Sequence, residues 1–285
     1  MSTVYITTLN NSFIQGALIT INTLLKCCKS TSEVKILYWE EITDYNKQLL
    51  SKICSNIKYQ KIKTEDYPPT QFDINHRKWE YNCHYRYDIF DAEADRVVYF
   101  DCDIIFNTVL EELLSFNDDI GAVYRPPGTI VQIGDRSGFD AGILTIGKKY
   151  LNRKTKLELI QLSQQPPPID RYIKSSNWVG NEPVLNTFFN NASPLPTKFN
   201  LCTDVIDSNN IDEPNNIQFI GHKKPWSGTE VSEQFDEYII NKIVKNNGKF
   251  YSEIILKKLL KIYNRERVAV ESLVGVKLND LKNNR

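Results

Sequence analysis

Two short segments carry residue types suited to holding a charged ligand. The first is Asp101-Cys102-Asp103, which directly follows the largely apolar run Arg96-Val97-Val98-Tyr99-Phe100. Side chains two residues apart on an extended backbone project to the same side, so the two carboxylates can share one hard cation, which prefers oxygen ligands. The same triplet suits a solvated strand end whose aspartates cap a following helix, because D-x-D is a short pattern. The second segment is Ile217-Gln218-Phe219-Ile220-Gly221-His222-Lys223-Lys224-Pro225-Trp226. Here Gly221 lets the backbone approach a ligand closely, and Lys224 supplies a point charge suited to phosphate. A surface turn ended by Pro225 and anchored by Trp226 would use the same residues.

These segments need elements that bring them together. Val4-Tyr5-Ile6-Thr7-Thr8-Leu9 is rich in β-branched and aromatic residues and is followed by turn-forming Asn10-Asn11-Ser12, which predicts a first strand and its exit loop. Residues 16–26 carry apolar side chains at helical spacing, and Lys35-Ile36-Leu37-Tyr38-Trp39 reads as a second strand. Strand, helix and strand at this spacing form a βαβ unit, hence a parallel sheet with a right-handed crossover. The run before Asp101 reads as a strand buried on both faces. Its acidic residues then lie at a strand's carboxyl end, where open α/β sheets place their ligands. Residues 120–124 and 141–146 are further predicted strands, and residues 182–189 a helix. Gln164-Gln165-Pro166-Pro167-Pro168 reads as a loop, since strand and helix signals continue on both sides. Beyond Trp226 the composition shifts to Lys, Glu, Ile and Leu, and residues 252–263 have the period of a helix. Such a helix either packs its apolar stripe on the preceding domain or offers it to a membrane surface or partner.

Composition narrows the classes of partner. With 285 residues, 41% hydrophobic, the chain can bury the core of one large α/β domain. Lys plus Arg equals Asp plus Glu at 35 each, so no net charge draws it to nucleic acid or an anionic membrane. The N-terminal stretch lacks a signal-peptide pattern, and no run reaches the roughly 18 apolar residues of a membrane span. A soluble, cytoplasmic protein with reduced cysteines is expected. The six cysteines show no C-x-x-C spacing, and Asn10-Asn11-Ser12 and Asn191-Ala192-Ser193 are weak matches to a glycosylation pattern.

The pattern F-x-G-x-x-K-P-W (Phe219 to Trp226) downstream of D-x-D resembles glycosyltransferase family 8, which includes glycogenin and the galactinol synthases. Other stretches resemble the same family in chain order. Thr8, Asn10 and Phe13, followed by Gly16-Ala17-Leu18, match the family's T-x-N-x-x-Y and G-A-L, whose residues hold uridine; phenylalanine replaces the tyrosine but keeps an aromatic face. Arg86 stands near the basic residue that contacts the diphosphate and sugar. Phe139-Asp140-Ala141-Gly142 resembles F-N-x-G, with Asp140 in place of asparagine and Asp135 as a weaker sugar contact. Asn181-Glu182, leading into residues 183–189, resembles D-Q-x-x-L-N-x-x-F with acid and amide exchanged, which makes Glu182 the carboxylate nearest the reacting carbon. Gln218 stands where the family has a metal-ligating histidine, a weaker hold on Mn²⁺; His222 could substitute only if the loop shifted. His76 and His84 have no such pattern around them.

The resemblance implies a GT-A fold: a Rossmann-like mixed β-sheet flanked by helices, with residues 1–228 as catalytic domain and 229–285 as a helical C-terminal extension packed on it. It implies a retaining transferase that uses a divalent metal, Mn²⁺ with Mg²⁺ as the substitute, held by Asp101, Asp103 and Gln218. The donor would be a UDP-sugar, glucose favoured, held by Thr8, Asn10, Phe13, Arg86, Asp101, Cys102, Asp103, Gly221 and Lys224. Glu182, Asp140 and Asn181 would serve the reacting sugar, and a glycan, protein or small molecule would accept it; a homodimer is left open. One rival is a nucleotide-sugar-binding or scaffold protein that kept the fold and lost turnover, marked by Asp140, Asn181 and Gln218. A nucleotidyltransferase is the other, disfavoured by the lack of a Gly-rich basic N-terminal loop. Glycogenin glycosylates a tyrosine of its own, and no tyrosine occurs here between Tyr172 and Tyr238. Intact-mass analysis after incubation with UDP-sugar should therefore show no ladder of added hexoses, and a ladder mapping to residues 195–210 would contradict this.

Overall fold

The structure, a computed structural model, describes residues 2–28, 33–68, 82–126, 132–133, 136–165, 181–221, 223–228 and 231–283. Strand β1 (Thr3–Leu9) runs into a 3-10 turn whose entry is capped by Asn10, its Oδ1 accepting from Ser12 N at 3.0 Å. Helix α1 (Ile14–Cys27) follows and is buried at every position from Ile14 to Leu24, which accounts for its mostly apolar and small residues; Gln15 and Asn22 are the large polar exceptions. Strand β2 (Glu33–Tyr38), helix α2 (Asp44–Ile53) and strand β3 (Ile57–Lys61) extend the same winding, with Thr43 capping α2 through Asn46 N. A nine-residue 3-10 stretch (Cys83–Asp91) leads to β4 (Arg96–Phe100), buried at all five positions, and then to the two-residue β5 (Ile104–Ile105).

The chain continues through α3 (Glu111–Leu114), β6 (Ile120–Tyr124), the short hairpin β7 (Gln132–Ile133) and β8 (Arg136–Ser137), and β9 (Phe139–Gly147). Helices α4 (Arg153–Ser163) and α5 (Asn181–Phe188), strands β10 (Ser193–Pro194), β11 (Leu201–Cys202) and β12 (Ile217–Gln218), and helices α6 (Val231–Gln234) and α7 (Glu237–Val274) complete it. Gly248, with φ +73°, interrupts α7 at a conformation that costs glycine little.

Seven strands form one sheet in the order β10-β6-β9-β4-β1-β2-β3. The half made of β4, β1, β2 and β3 is parallel, as the βαβ pattern requires, whereas β9 runs antiparallel to both β4 and β6, so the sheet is mixed. Tyr5 and Val98 belong to one buried cluster and Ile6, Val97 and Tyr99 to the other, so the sheet is covered on both faces. Residues of α7, among them Ile239, Ile243, Leu259 and Val270, join the cluster that contains α1. Among the described residues no helix is long and apolar enough to cross a membrane.

A second, three-stranded sheet, β11-β12-β5, couples the two sequence segments. Strand β12 runs antiparallel to β5, with Gln218 opposite Ile104, and Phe219 N donates to Asp103 O at 2.9 Å. The D-x-D turn and the Gly221 loop are thus hydrogen-bonded neighbours although more than a hundred residues apart. Gly16 seals the contact from below. A Cβ there would collide with the Cys102 carbonyl and lie 2.6 Å from the Trp226 ring. Gly16→Ala should therefore destabilise the protein by about 1–3 kcal/mol, as overpacking of a full core does, read as a lowered urea midpoint at unchanged slope; an unshifted midpoint would show that the two loops yield freely.

Candidate active site

The carboxyl ends of the parallel strands β1 and β4 open on the same edge as the N-terminal end of antiparallel β9. That edge carries a cleft of about 1170 Å³. Of the residues singled out for donor, metal or sugar, these line it: Thr8 near the end of β1, Asn10 and Phe13 after it, Arg86, the triplet 101–103, Asp140 on β9, Asn181 and Glu182 opening α5, and Gln218, Gly221 and Lys224. Asp135, His76 and His222 lie outside the described residues. His84 is buried away from the cleft, with Nδ1 3.1 Å from the Tyr87 hydroxyl.

Asp101 and Asp103 are each tied to a cation from another element. Arg86 Nη2 donates to Asp101 Oδ1 at 2.7 Å, and the same oxygen accepts from Tyr99 OH at 2.5 Å. The Arg86 guanidinium stacks 4.7 Å from the centre of the Tyr99 ring and donates to Ala141 O, so its plane is fixed. Burial raises the Asp101 carboxyl to about 6, Arg86 pulls it down and the neighbouring Asp103 charge pushes it up. Lys224 Nζ donates to Asp103 Oδ2 and to Phe219 O, both at 2.5 Å, which leaves Asp103 Oδ1 buried with no hydrogen-bond partner among the described residues.

Gln218 bridges the D-x-D turn and the polar groups around Asp140. Its Nε2 donates to Asp101 Oδ2 at 3.1 Å, while its Oε1 accepts from Asn200 Nδ2 at 2.9 Å and faces Cys202 Sγ at 3.6 Å. Gly142 is the residue that admits it, since a Cβ there would overlap the Gln218 amide. The donor set of two carboxylates and an amide is all oxygen once the amide turns over, and the orphaned Asp103 oxygen is an acceptor in want of a partner, so these residues fit a hard divalent cation. Among the described residues no three His, Cys, Asp or Glu side chains gather to hold a metal by themselves. Phosphate oxygens would have to complete the shell.

Around Asp140 lies a network of buried polar groups. Asp140 Oδ1 accepts from Gly142 N at 2.7 Å and Asn200 Nδ2 at 2.9 Å; its Oδ2 accepts from Cys202 Sγ at 3.5 Å and lies 3.7 Å from Arg125 Nη1. Arg125 Nη2 donates to Asp204 Oδ2 at 2.5 Å. Glu182 Oε1 accepts from Ala141 N at 3.3 Å, and Asn186 holds both backbone polar groups of Phe139. Burial, reinforced by the Asp140 charge, pushes the Glu182 carboxyl up to about 8 against the opposing pull of Arg125 and Arg86. Asn181 Nδ2 is buried without a hydrogen-bond partner among the described residues.

At the other end, Cys102 is turned inward, with Sγ donating to Thr8 O and 3.2 Å from Thr7 Oγ1, so it ties β1 to the D-x-D turn; burial holds its thiol up at about 12. Phe13 is 38% exposed at the cleft mouth, as a ring offered to a planar ligand would be. Sequence reasoning missed Tyr99, Arg125, Asn200, Cys202, Asp204 and Trp39. None sits in a pattern with a chemical meaning of its own: Trp39, after β2, and Arg125, after β6, line the cleft, and Tyr99, Asn200, Cys202 and Asp204 touch residues that do.

Residues 4–230 match the sequence profile of glycosyl transferase family 8. No curated protein sequence matches the chain. Among solved structures, the galactosyltransferase LgtC, in complex with donor and acceptor sugar analogues, is similar at TM-score 0.61 and 16% identity, over 84% of this chain and 94% of that one. GlyE, a glycosyltransferase from Streptococcus pneumoniae, is similar at TM-score 0.58 and 18% identity, over 92% of this chain and 64% of that one. The bifunctional WbbM is similar at TM-score 0.58 and 15% identity, over 90% of this chain, which spans about half of it (51%). At these identities the likeness is one of fold: the seven-stranded mixed sheet with flanking helices is the GT-A fold.

The elevated Glu182 carboxyl has a consequence for stability. Its ordinary value is 4.5, so between about 4.5 and 8 the folded protein keeps a proton that the unfolded chain releases. The folded state then binds more protons, and the contribution of Glu182 to stability is lost as pH rises through that window. Glu182→Gln removes this dependence. The variant should gain on the parent from pH 5 to pH 9, measured by urea unfolding at pH 5, 7 and 9; a difference that stays constant would show that Glu182 ionises at its ordinary value.

Proposed function

The chain belongs to glycosyl transferase family 8, and we propose that it moves a sugar, glucose in the first instance, from a UDP-sugar to a separate acceptor with retention at the anomeric carbon. The observation that carries this reading is the pairing across one cleft of Asp101 with Arg86 and Asp103 with Lys224, two anions and two cations at the place where a diphosphate would lie. On this reading residues 1–228 are the catalytic domain, 229–285 an extension packed on it, and the enzyme works in the cytoplasm.

Thr8, Asn10 and Phe13 take the uridine, and Gly221, φ +94°, allows the loop backbone close to the phosphates. Arg86 and Lys224 are already committed to carboxylates, so they can turn to phosphate only if another cation takes those carboxylates over. Asp101, Asp103 and a flipped Gln218 would hold a divalent cation, Mn²⁺ or Mg²⁺, whose positive charge stabilises the negative charge developing on UDP. In the transfer, the bond between C1 and the β-phosphate oxygen breaks and its electron pair stays on that oxygen. The acceptor hydroxyl oxygen bonds to C1 from the same face and gives its proton to the departing phosphate. Arg86 and Lys224 stabilise that phosphate. Burial favours the neutral acid of Glu182 at pH 7, which suits a hydrogen-bond donor to the sugar and not a nucleophile.

A second reading, a nucleotide-sugar-binding protein without turnover, is favoured by one observation: Gln218 Oε1 faces Asn200 and not the aspartates. Release of UDP from a panel of UDP-sugars with Mn²⁺ separates the two. Asp103→Asn should lower the rate by about a hundredfold or more, the scale of losing one electrostatic stabiliser in a dry site, while the unfolding midpoint holds. Full activity in Asp103→Asn would remove the metal assignment, and no UDP release by the parent protein with any sugar would favour the binding protein.

A further inference from the structure

Arg125 belongs to none of the motifs, yet it lines the cleft beside Asp140 and Glu182 and is 4% exposed. Its guanidinium carries five N–H groups. Among the described residues only Nη2 makes a hydrogen bond, to Asp204; Nε and Nη1 are buried with no hydrogen-bond partner among them. Asn181 Nδ2, on the same wall, is orphaned too. Buried donors without acceptors are uncommon and costly, and in a cleft they mark where a ligand's acceptors belong. Asp140, by contrast, has both oxygens engaged by Gly142, Asn200, Cys202 and Arg125. It is occupied in positioning and has little to offer a sugar.

Building on the donor-site reading above, we infer that Arg125 is a specificity-determining residue of the sugar subsite, donating from its unpartnered nitrogens to hydroxyl oxygens of an uncharged donor sugar, with Asn181 beside it. Charge decides against an acidic sugar. Asp204 Oδ2 lies 2.5 Å and Asp140 Oδ2 3.7 Å from the guanidinium, two carboxylates against one cation. A sugar carboxylate would be a third anion in a site shielded from water, where like charges repel strongly. Hydroxyl oxygens satisfy the donors without that cost.

The test compares UDP with UDP-glucose and UDP-glucuronate by calorimetric titration with Mn²⁺, on the parent protein, Arg125→Lys, and the double variant Arg125→Gln/Asp204→Asn. The lysine variant keeps the charge facing Asp140 and Asp204, and the double variant keeps the local charge balance, so each guards against loss of the fold in the other. We expect UDP-glucose to bind the parent at least about tenfold more tightly than UDP-glucuronate, and both variants to lose about tenfold or more in UDP-glucose affinity, the scale of hydrogen bonds from a charged donor. Their affinity for UDP should stay within about twofold. Equal losses for UDP and UDP-glucose, no loss for either, or equal binding of the two UDP-sugars by the parent would overturn the role of Arg125. Failure of the parent to bind UDP at all would overturn the donor-site reading itself.

Discussion

Two carboxylates leave the apolar β4 strand almost side by side, and much of the active-site architecture follows from keeping them there. Burying unpaired charge is expensive, and two like charges in one turn repel. Arg86, delivered by the 3-10 stretch before β4, answers Asp101, and Lys224, delivered by the loop after β12, answers Asp103. Lys224 reaches through the pairing of β12 with β5 and the hydrogen bond from Phe219 N to the Asp103 carbonyl. On the proposed reading these ion pairs exchange on donor binding, since the geometry that neutralises an aspartate would also aim a cation at the diphosphate.

The antiparallel β9 has a comparable role for the buried network around Asp140. Pairing Phe100 with Ile143 brings the first residues of β9 alongside the exit of β4, so Asp101 N reaches the Gly142 carbonyl at 2.9 Å and Asp140 lies two residues before that glycine. Gly142 has no side chain because Gln218 packs against it. Asp140, where the family pattern has asparagine, adds a buried negative charge, and Arg125 is the cation that offsets it, itself steadied by Asp204. The departures from the family pattern at residues 140 and 218 are thus joined through Asn200 and Cys202, which touch both. They form one rearranged network and not separate losses.

The C-terminal helix fits the same logic. Ile239, Ile243 and Leu259 of α7 join the cluster around α1, and Tyr238 and Ile239 also border the cleft, so the helix both completes a hydrophobic layer and closes one wall of the site. The alternation of buried clusters along β1 and β4 shows why that layer is needed: both faces of the sheet are apolar and both require cover.

Local patterns were enough for several features. β-branched and apolar runs bounded by turn residues located β1, β4, β6 and β9, because strand burial writes itself into consecutive positions, and 96–100 and 120–124 were read to the residue. The D-x-D turn and the Gly221 to Trp226 loop could be read because each packs its chemistry into a few adjacent residues. The two-residue strands β5, β11 and β12 left no such trace, since a pair of residues has no period. Nor did Arg125, Asn200, Cys202 and Asp204, isolated polar residues whose partners lie from 16 to 79 positions away in the chain. Which amide face Gln218 turns to Asp101, which carboxyl burial keeps protonated, and which guanidinium nitrogens are left without acceptors depend on distances across three strands, and only the tertiary structure sets those.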